Sequence, residues 1–300
     1  MSGGVLLVSA PAKINLYLRV LGRRPDGFHE LVTVLQALGL SDDLELALRA
    51  RDPAVAPGAP DVRLVLEAAP PGVPAGAGNL AARAGAAVLA RAGAAGDVGL
   101  DVRLWKRIPA GGGLAGGSSD AAAVLRGANR LLGDPLDEAA LRGLAADLGS
   151  DVAFFLVGGS ALCTGRGEVV EPLEPPAGCE VTLVMPPFGT STAAVYAAWA
   201  GHAVRAPPPD LPRLRAALAD ADAAALQALF VNDLQAAART VEPRLAALQD
   251  RTRLNLSGSG STLFGYGPRT PDLQGTCESA SICWTAFRPE NAGKPGSRHA

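Results

Sequence analysis

The segment Pro109-Ala-Gly-Gly-Gly-Leu-Ala-Gly-Gly-Ser-Ser-Asp-Ala-Ala-Ala123 combines residue types suited to holding phosphate. Glycines let successive backbone N–H groups turn toward one point, and the unpaired N–H groups and dipole of a helix start add positive potential there. A Walker A loop is excluded, because no lysine lies between Pro109 and Ala123. A dinucleotide fingerprint can be laid over Gly111, Gly113 and Gly116, with Val102–Trp105 as the preceding strand, but no ribose-binding acid follows at the expected distance. A flexible linker is the plain alternative, and linkers do not normally lead into so well marked a helix start. Ser118-Ser119-Asp120 supplies capping oxygens and possible ligands for a metal-bound phosphate.

Three further places carry chemistry. Lys13 and Asn15 alternate with Ile14 and Leu16, which puts them on the opposite face of a strand, where a lone lysine is usually just solvated. Asp151 stands directly before Val-Ala-Phe-Phe-Leu, a position that by itself suits a helix cap better than a catalytic group. Ser257-Gly-Ser-Gly-Ser261 reads as a turn, yet a second Gly/Ser loop in the chain favours a shared site.

The elements that must position these groups alternate between strand and helix patterns. Period-two alternation predicts strands at Ala10–Val20, Asp43–Leu48 and Asp61–Leu66; Val5–Ser9 is a short apolar run that suits a strand, His29–Leu40 reads as a strand or apolar segment, Leu100–Trp105 as a strand, and Arg23–Gly27 as a turn. Helices are predicted at Asn79–Ala92, Ser118–Leu132 and Leu136–Leu148. Beyond Asp151 come a strand pair around Ala161–Glu171, a strand at Val181–Met185, and helices at Thr192–Ala200, Leu211–Ala219, Ala223–Leu229 and Glu242–Asp250. The pattern is α+β, with two domains meeting at a cleft.

Composition narrows the partners. The 300 residues are 48% hydrophobic and 19% charged, which suits a folded chain with ample core material. A net charge of -2 with scattered arginines gives no basic face, so nucleic acid is not an expected partner. No apolar run approaches a membrane span and no cleavable signal pattern is present, so no membrane is expected and the location is read as cytoplasmic. Cys163, Cys179, Cys277 and Cys283 lack metal or disulfide spacing and are read as ordinary thiols.

In order and spacing, Pro11-Ala-Lys-Ile-Asn15, the Pro109–Ala123 loop and Ser257–Ser261 resemble the three motifs of the superfamily named for galactokinase, homoserine kinase, mevalonate kinase and phosphomevalonate kinase, the GHMP kinases. Pro25-Asp-Gly-Phe-His-Glu30, the run from Gly111 to Asp120 and Leu148-Gly-Ser-Asp-Val-Ala-Phe-Phe155 are similar to its 4-diphosphocytidyl-2-C-methylerythritol kinase branch. The resemblance extends from about Ser9 to Tyr266. It implies a two-domain GHMP kinase fold: a ribosomal-protein-S5-like α/β domain over residues 1–158, a ferredoxin-like α/β domain over 159–267, and the active site between them. Residues 268–300 then form an atypical tail without sustained periodicity, expected to be loosely packed.

The resemblance also implies roles. ATP is the phosphate donor, with Mg²⁺ carried on its phosphates near Ser118 or Ser119. Pro109, Ala110, Gly111, Gly112, Gly113, Leu114, Ala115, Gly116, Gly117, Ser118 and Ser119 would wrap the phosphates, and Ser257, Gly258, Ser259 and Gly260 would close over them. Asn79 and Lys106 match the adenine and ribose side. Asp151 would take the proton of the 2-hydroxyl of the acceptor, and Lys13 would stabilise the anionic partner. Asn15, Phe28, His29 and Tyr196 would bind the acceptor, Phe28 and Tyr196 as the two faces of a sandwich around cytosine and His29 as its hydrogen-bond partner. Ala115 interrupts a glycine run common in the family and is tolerable there only with φ below zero. The implied enzyme is a small-molecule kinase, monomer or homodimer, of the non-mevalonate isoprenoid route. Another GHMP kinase of homoserine or mevalonate type, or an inactive nucleotide-binding relative, are the alternatives.

Overall fold

Apolar alternation does not stop at Pro11, and the two strands expected around it are one. β1 (Val5–Arg23) runs antiparallel to β2 (His29–Ala50), from Val5↔Ala47 to Arg23↔His29. Pro11 has no N–H for the ladder and sits at a register shift, Pro11↔Ser41 being followed by Lys13↔Ala37. β2 likewise continues through Ser41-Asp42-Asp43, where the sequence suggests a break. The computed structural model describes residues 4–70, 72–174, 178–200, 208–267 and 281–286.

The chain continues with β3 (Asp61–Ala68), α1 (Leu80–Arg91), β4 (Val98–Trp105), α2 (Gly116–Leu131), α3 (Glu138–Leu148), α4 (Val152–Val157), β5 (Ser160–Gly165) and β6 (Val169–Leu173). Then come β7 (Glu180–Met185), α5 (Thr192–Trp199), α6 (Leu211–Ala219), α7 (Ala223–Leu229), β8 (Val231–Asn232), α8 (Gln235–Val241), α9 (Pro243–Thr252), β9 (Asn255–Leu256), β10 (Leu263–Tyr266) and β11 (Ser281–Ala286). Side-chain caps fix several helix starts: Asn79 accepts from Ala81 N–H at the head of α1, and Asp137 from Ala140 N–H at the head of α3.

The larger sheet has the order β3-β4-β2-β1-β8, with β5 on the other half of β2 and β6 beside it. Residues 160–173 therefore complete this sheet, although they follow the expected boundary at 158/159. The smaller sheet has the order β11-β7-β10-β9. Its β11 departs from the expectation that no regular element follows Gly267. Ser281–Ala286 pairs antiparallel with β7, from Ser281↔Met185 to Ala286↔Glu180, covering backbone groups that β7 would otherwise leave open at an edge. The rest of the expected tail lies outside the described residues.

Three apolar clusters hold these layers. One packs the helices α1 to α4 on the larger sheet, with Leu44, Leu46, Val102, Leu125 and Phe154 at its centre. A second joins the two sheets through Ile14, Leu16, Leu183 and Phe264. The third packs Leu18, Val184, Trp199 and Leu245 around α5, α8 and α9. Both faces of the middle of β1 are thus buried, so Lys13 and Asn15 emerge inside the molecule.

Candidate active site

Lys13 is 4% exposed, which overturns the solvated-face reading of its strand position. Its Nζ donates to Asn15 Oδ1 at 2.8 Å and to the Gly113 carbonyl at 2.9 Å, and lies 3.8 Å from Asp151 Oδ2. Asn15 is itself fixed, donating to Thr33 Oγ1 at 2.9 Å. Burial pulls the Lys13 pKa below the ordinary lysine value, and the Asp151 carboxylate works against that fall.

Asp151 stands at the N-cap position of α4, but its side chain makes no capping hydrogen bond. It turns toward Lys13 and remains 35% exposed, which leaves the carboxylate accessible from the cleft. The plain capping reading therefore gives way to a charge pair of one buried ammonium and one accessible carboxylate.

The glycine loop leads into α2 two residues earlier than predicted, at Gly116, so Ser118 and Ser119 lie within the first turn instead of capping it. The N-cap is Ala115, with φ 55 and ψ 31. That corrects the expectation of a negative φ: the loop needs a left-handed residue to turn into the helix, and alanine occupies the position at a cost of about 1–2 kcal/mol. Ser118 lines the cleft, whereas Ser119 faces a small hollow with Pro11, Arg126 and Phe155. Leu114 is wholly buried in the apolar cluster between the sheets.

The second loop is the connection between β9 and β10, and it interlocks with the first. Ser257 Oγ donates to the Gly113 carbonyl at 3.0 Å, beside the Lys13 ammonium on the same oxygen. Thr262 N–H donates to the Gly112 carbonyl at 3.0 Å. A Cβ on Gly113 would drive into the Ser257 carbonyl, and one on Gly258 would lie 3.3 Å from Asn15 Oδ1 and 3.4 Å from Lys13 Nζ. Gly258 and Ser259 reach the cleft wall, while Ser257 is fully buried behind it and Gly260 packs against Leu256 and Leu245.

Lys106 is held between two carboxylates, Asp42 and Asp120, the latter at 2.7 Å. Asp42 is 0% exposed and its other oxygen accepts from the backbone N–H groups of Arg107 and Ile108, at 2.5 and 2.8 Å. Burial works against the Lys106 charge, but Asp120 and Asp42 outweigh it and keep its pKa above the ordinary value. Burial lifts the Asp120 carboxyl to about 7, with Lys106 opposing and Asp42 adding to the rise. Asn79 lines the same end of the cleft, but its amide is already engaged by Ala81 N–H and the Pro74 carbonyl.

At the other end, His29 stacks on Tyr196 with ring centroids 4.5 Å apart and planes at 24°, and meets Trp199 edge-on at 5.8 Å. Phe28 is half exposed, with the Arg166 guanidinium 4.7 Å from its ring centre. The expected partners Phe28 and Tyr196 are thus covered by other groups, Arg166 and His29. Burial, followed by the nearby Arg23 charge, lowers the His29 pKa, while burial and then Asp151 raise that of Tyr196.

These groups line one cleft of about 1040 Å³ that runs from Asn79 and Lys106, past the glycine loop, Lys13 and Asp151, to His29 and Tyr196. Asp42, which holds Lys106, and Thr192 and Arg166 on the cleft wall were not read as site residues. Among the described residues no three His, Cys, Asp or Glu side chains gather to hold a metal. The Ser118 hydroxyl on the cleft wall is a hard oxygen donor that suits a magnesium ion carried on phosphate. An ammonium beside a loop of free helix-start N–H groups, with a carboxylate opposite, can hold a phosphate chain and accept a proton from a hydroxyl. No helix among the described residues is long and apolar enough to cross a membrane.

Residues 79–159 match the family model described as GHMP kinases N terminal domain. The chain is 41% identical over 269 residues to 4-diphosphocytidyl-2-C-methyl-D-erythritol kinase of Moorella thermoacetica, covering 87% of this chain and 90% of that one. It is also 41% identical over 284 residues to the protein of that name from Synechococcus sp., covering 91% and 86%. A crystal structure of 4-(cytidine 5'-diphospho)-2C-methyl-D-erythritol kinase superposes with a TM-score of 0.73 at 32% identity, over 94% of this chain and 99% of that one. Homoserine kinase from Cytophaga hutchinsonii, at TM-score 0.70 and 16% identity over 96% of each chain, shares the fold. With relatives this similar along nearly their whole length, the chain belongs to the 4-diphosphocytidyl-2-C-methyl-D-erythritol kinase family of the GHMP kinases.

Proposed function

We propose that this protein transfers the γ-phosphate of ATP to the 2-hydroxyl of 4-diphosphocytidyl-2-C-methyl-D-erythritol, giving the 2-phosphate and ADP, in the non-mevalonate route to isoprenoid precursors. The observation that carries the reading is the Lys13–Asp151 pair, 3.8 Å apart, beside the Gly113 carbonyl and on the wall of the cleft. Asp151 accepts the hydroxyl proton as that oxygen bonds to the γ-phosphorus, and the bond from the γ-phosphorus to the bridging oxygen breaks to release ADP. Lys13 stabilises the negative charge that develops between them. The N–H groups from Gly111 to Ser118 and those of Gly258 and Ser259 grip the phosphates, and Lys106 lies toward the nucleoside. Magnesium on the phosphates, with Ser118 as a protein oxygen, would neutralise charge on the transferred group.

The acceptor end supports a cytidine ring. His29 offers an imidazole edge and a stacked partner, Tyr196, while Phe28 presents an exposed aromatic face. The enzyme works on soluble metabolites, which suits a cytoplasmic monomer or homodimer.

A coupled assay of the purified protein with ATP, Mg²⁺ and the cytidyl acceptor tests this. Activity is expected, and Asp151→Ala should lower kcat at least about 100-fold. Phosphate transfer to mevalonate or homoserine but not to the cytidyl acceptor would replace the substrate assignment. ATP binding without turnover would overturn the reading altogether.

A further inference from the structure

We propose that Asn232 is a positioning residue that sets the second phosphate loop at its working height above Lys13, an inference that rests on the kinase reading above. Asn232 ends β8, a two-residue strand pairing in parallel with β1 through Tyr17↔Val231 and Leu18↔Asn232. The attachment continues past it, as Asp233 N–H donates to the Leu18 carbonyl at 3.0 Å and Asp233 Oδ2 accepts from Val20 N–H at 2.9 Å. Asn232 is therefore fixed to the same strand that carries Lys13 and Asn15.

From there its side chain reaches the loop. Nδ2 donates to the Leu256 carbonyl at 2.9 Å and to the Gly258 carbonyl at 2.8 Å, while Oδ1 accepts from Leu234 N–H at 2.9 Å. Both amide protons are spent on two carbonyls that bracket Ser257, the residue whose hydroxyl meets Gly113. Gly258 sits so close to Lys13 and Asn15 that even a methyl group on it would touch them. A shift of the Gly258 peptide thus changes the distance between the loop N–H groups and the Lys13 ammonium, and phosphoryl transfer loses rate steeply with misplacement of about 1 Å. Asn232 does not line the cleft, so its influence passes through the loop.

The test compares wild type, Asn232→Ala and Asn232→Gln in kcat, in KM for ATP and for the acceptor, in binding of a non-hydrolysable ATP analogue by calorimetry, and in thermal unfolding. Asn232→Ala removes both donors; kcat is expected to fall about 10-fold to 100-fold and analogue binding to weaken, with KM for the acceptor within about twofold. Asn232→Gln keeps both donors on a longer stem and should show a smaller change of the same pattern, including where the alanine variant fails to fold. A lower melting temperature with wild-type kcat and analogue affinity, in whichever variants fold, would reduce Asn232 to a structural role and overturn the inference. So would an equal rise in both KM values. An inactive wild type that still binds the analogue would instead sink the kinase reading, with the analogue affinities of the variants still deciding the role of Asn232.

Discussion

The ammonium of Lys13 and the carbonyl of Gly113 lie 2.9 Å apart across a separation of 100 residues. The phosphate loop carries no lysine of its own, and a buried strand delivers the charge to it instead. Lys13→Met should therefore lower kcat about 100-fold to 1000-fold. Stability should stay within about 1 kcal/mol of wild type, because the lost hydrogen bonds are offset by relief of a buried charge. Steady-state kinetics and urea unfolding on the same preparation check the pair of outcomes. A large loss of stability with little change in kcat would contradict it. Burial also lowers the Lys13 pKa, so the rate of the wild type should decline on the alkaline side before an ordinary lysine titrates.

Ala115 sits at φ 55 at the head of α2. Ala115→Gly should raise stability by about 0.5–1 kcal/mol, the relief of the left-handed strain exceeding the entropy that glycine restores to the unfolded chain. Ala115→Val, with its branched carbon at the same φ, should destabilise. Denaturant titration of both variants decides the sign.

His29 is held below its usual pKa by burial and by Arg23. At neutral pH it is uncharged, with one N–H to donate and one nitrogen to accept. KM for the acceptor should be flat through neutrality and rise only below the usual histidine range of about 6.5. Arg23→Ala removes one of the two causes of the lowering, so the rise should begin at higher pH. A KM profile that does not respond to Arg23→Ala would exclude His29 as the titrating group.

Asp42 accepts from Lys106 and from two backbone N–H groups, all within the core beneath the loop. Asp42→Ala leaves those donors short of a partner and should cost about 3–5 kcal/mol. Asp42→Asn keeps an oxygen for the backbone N–H groups and should cost less. Calorimetric melting of both variants gives the comparison, and equal losses would show that the charge, not the acceptor geometry, is what matters.

Much of this was legible in the sequence because it rests on local rules. Asn79 marked the start of α1, and alternating residues marked β3 and parts of β1 and β2. The glycine-to-helix transition and the Lys13, Asp151 and Ser257 segments were visible as separate pieces. What stayed hidden depends on partners distant in the chain. The strand break expected at Ser41–Asp43 is absent, and Lys106, just past the end of β4, pairs with the buried Asp42 there. The solvated face expected for Lys13 is covered by the two glycine-rich loops and Asp151, which meet it only in the folded chain. β8 is too short to show a period, and its pairing with β1 depends on Asp233 meeting Val20. The negative φ expected at Ala115 followed from the side chain alone, whereas the direction of the loop decided it.

The interlocking of the two loops has a consequence for synthesis. Lys13, the glycine loop and Asp151 all precede β5 in the chain, whereas the β9–β10 hairpin that covers them follows α9. Domains tend to fold as they emerge, N-terminal parts first. A nascent chain thus carries the reacting groups for much of its translation without the backbone that completes the grip on phosphate. Nucleotide turnover should therefore begin only after the β9–β10 hairpin has been made and has docked on the first loop.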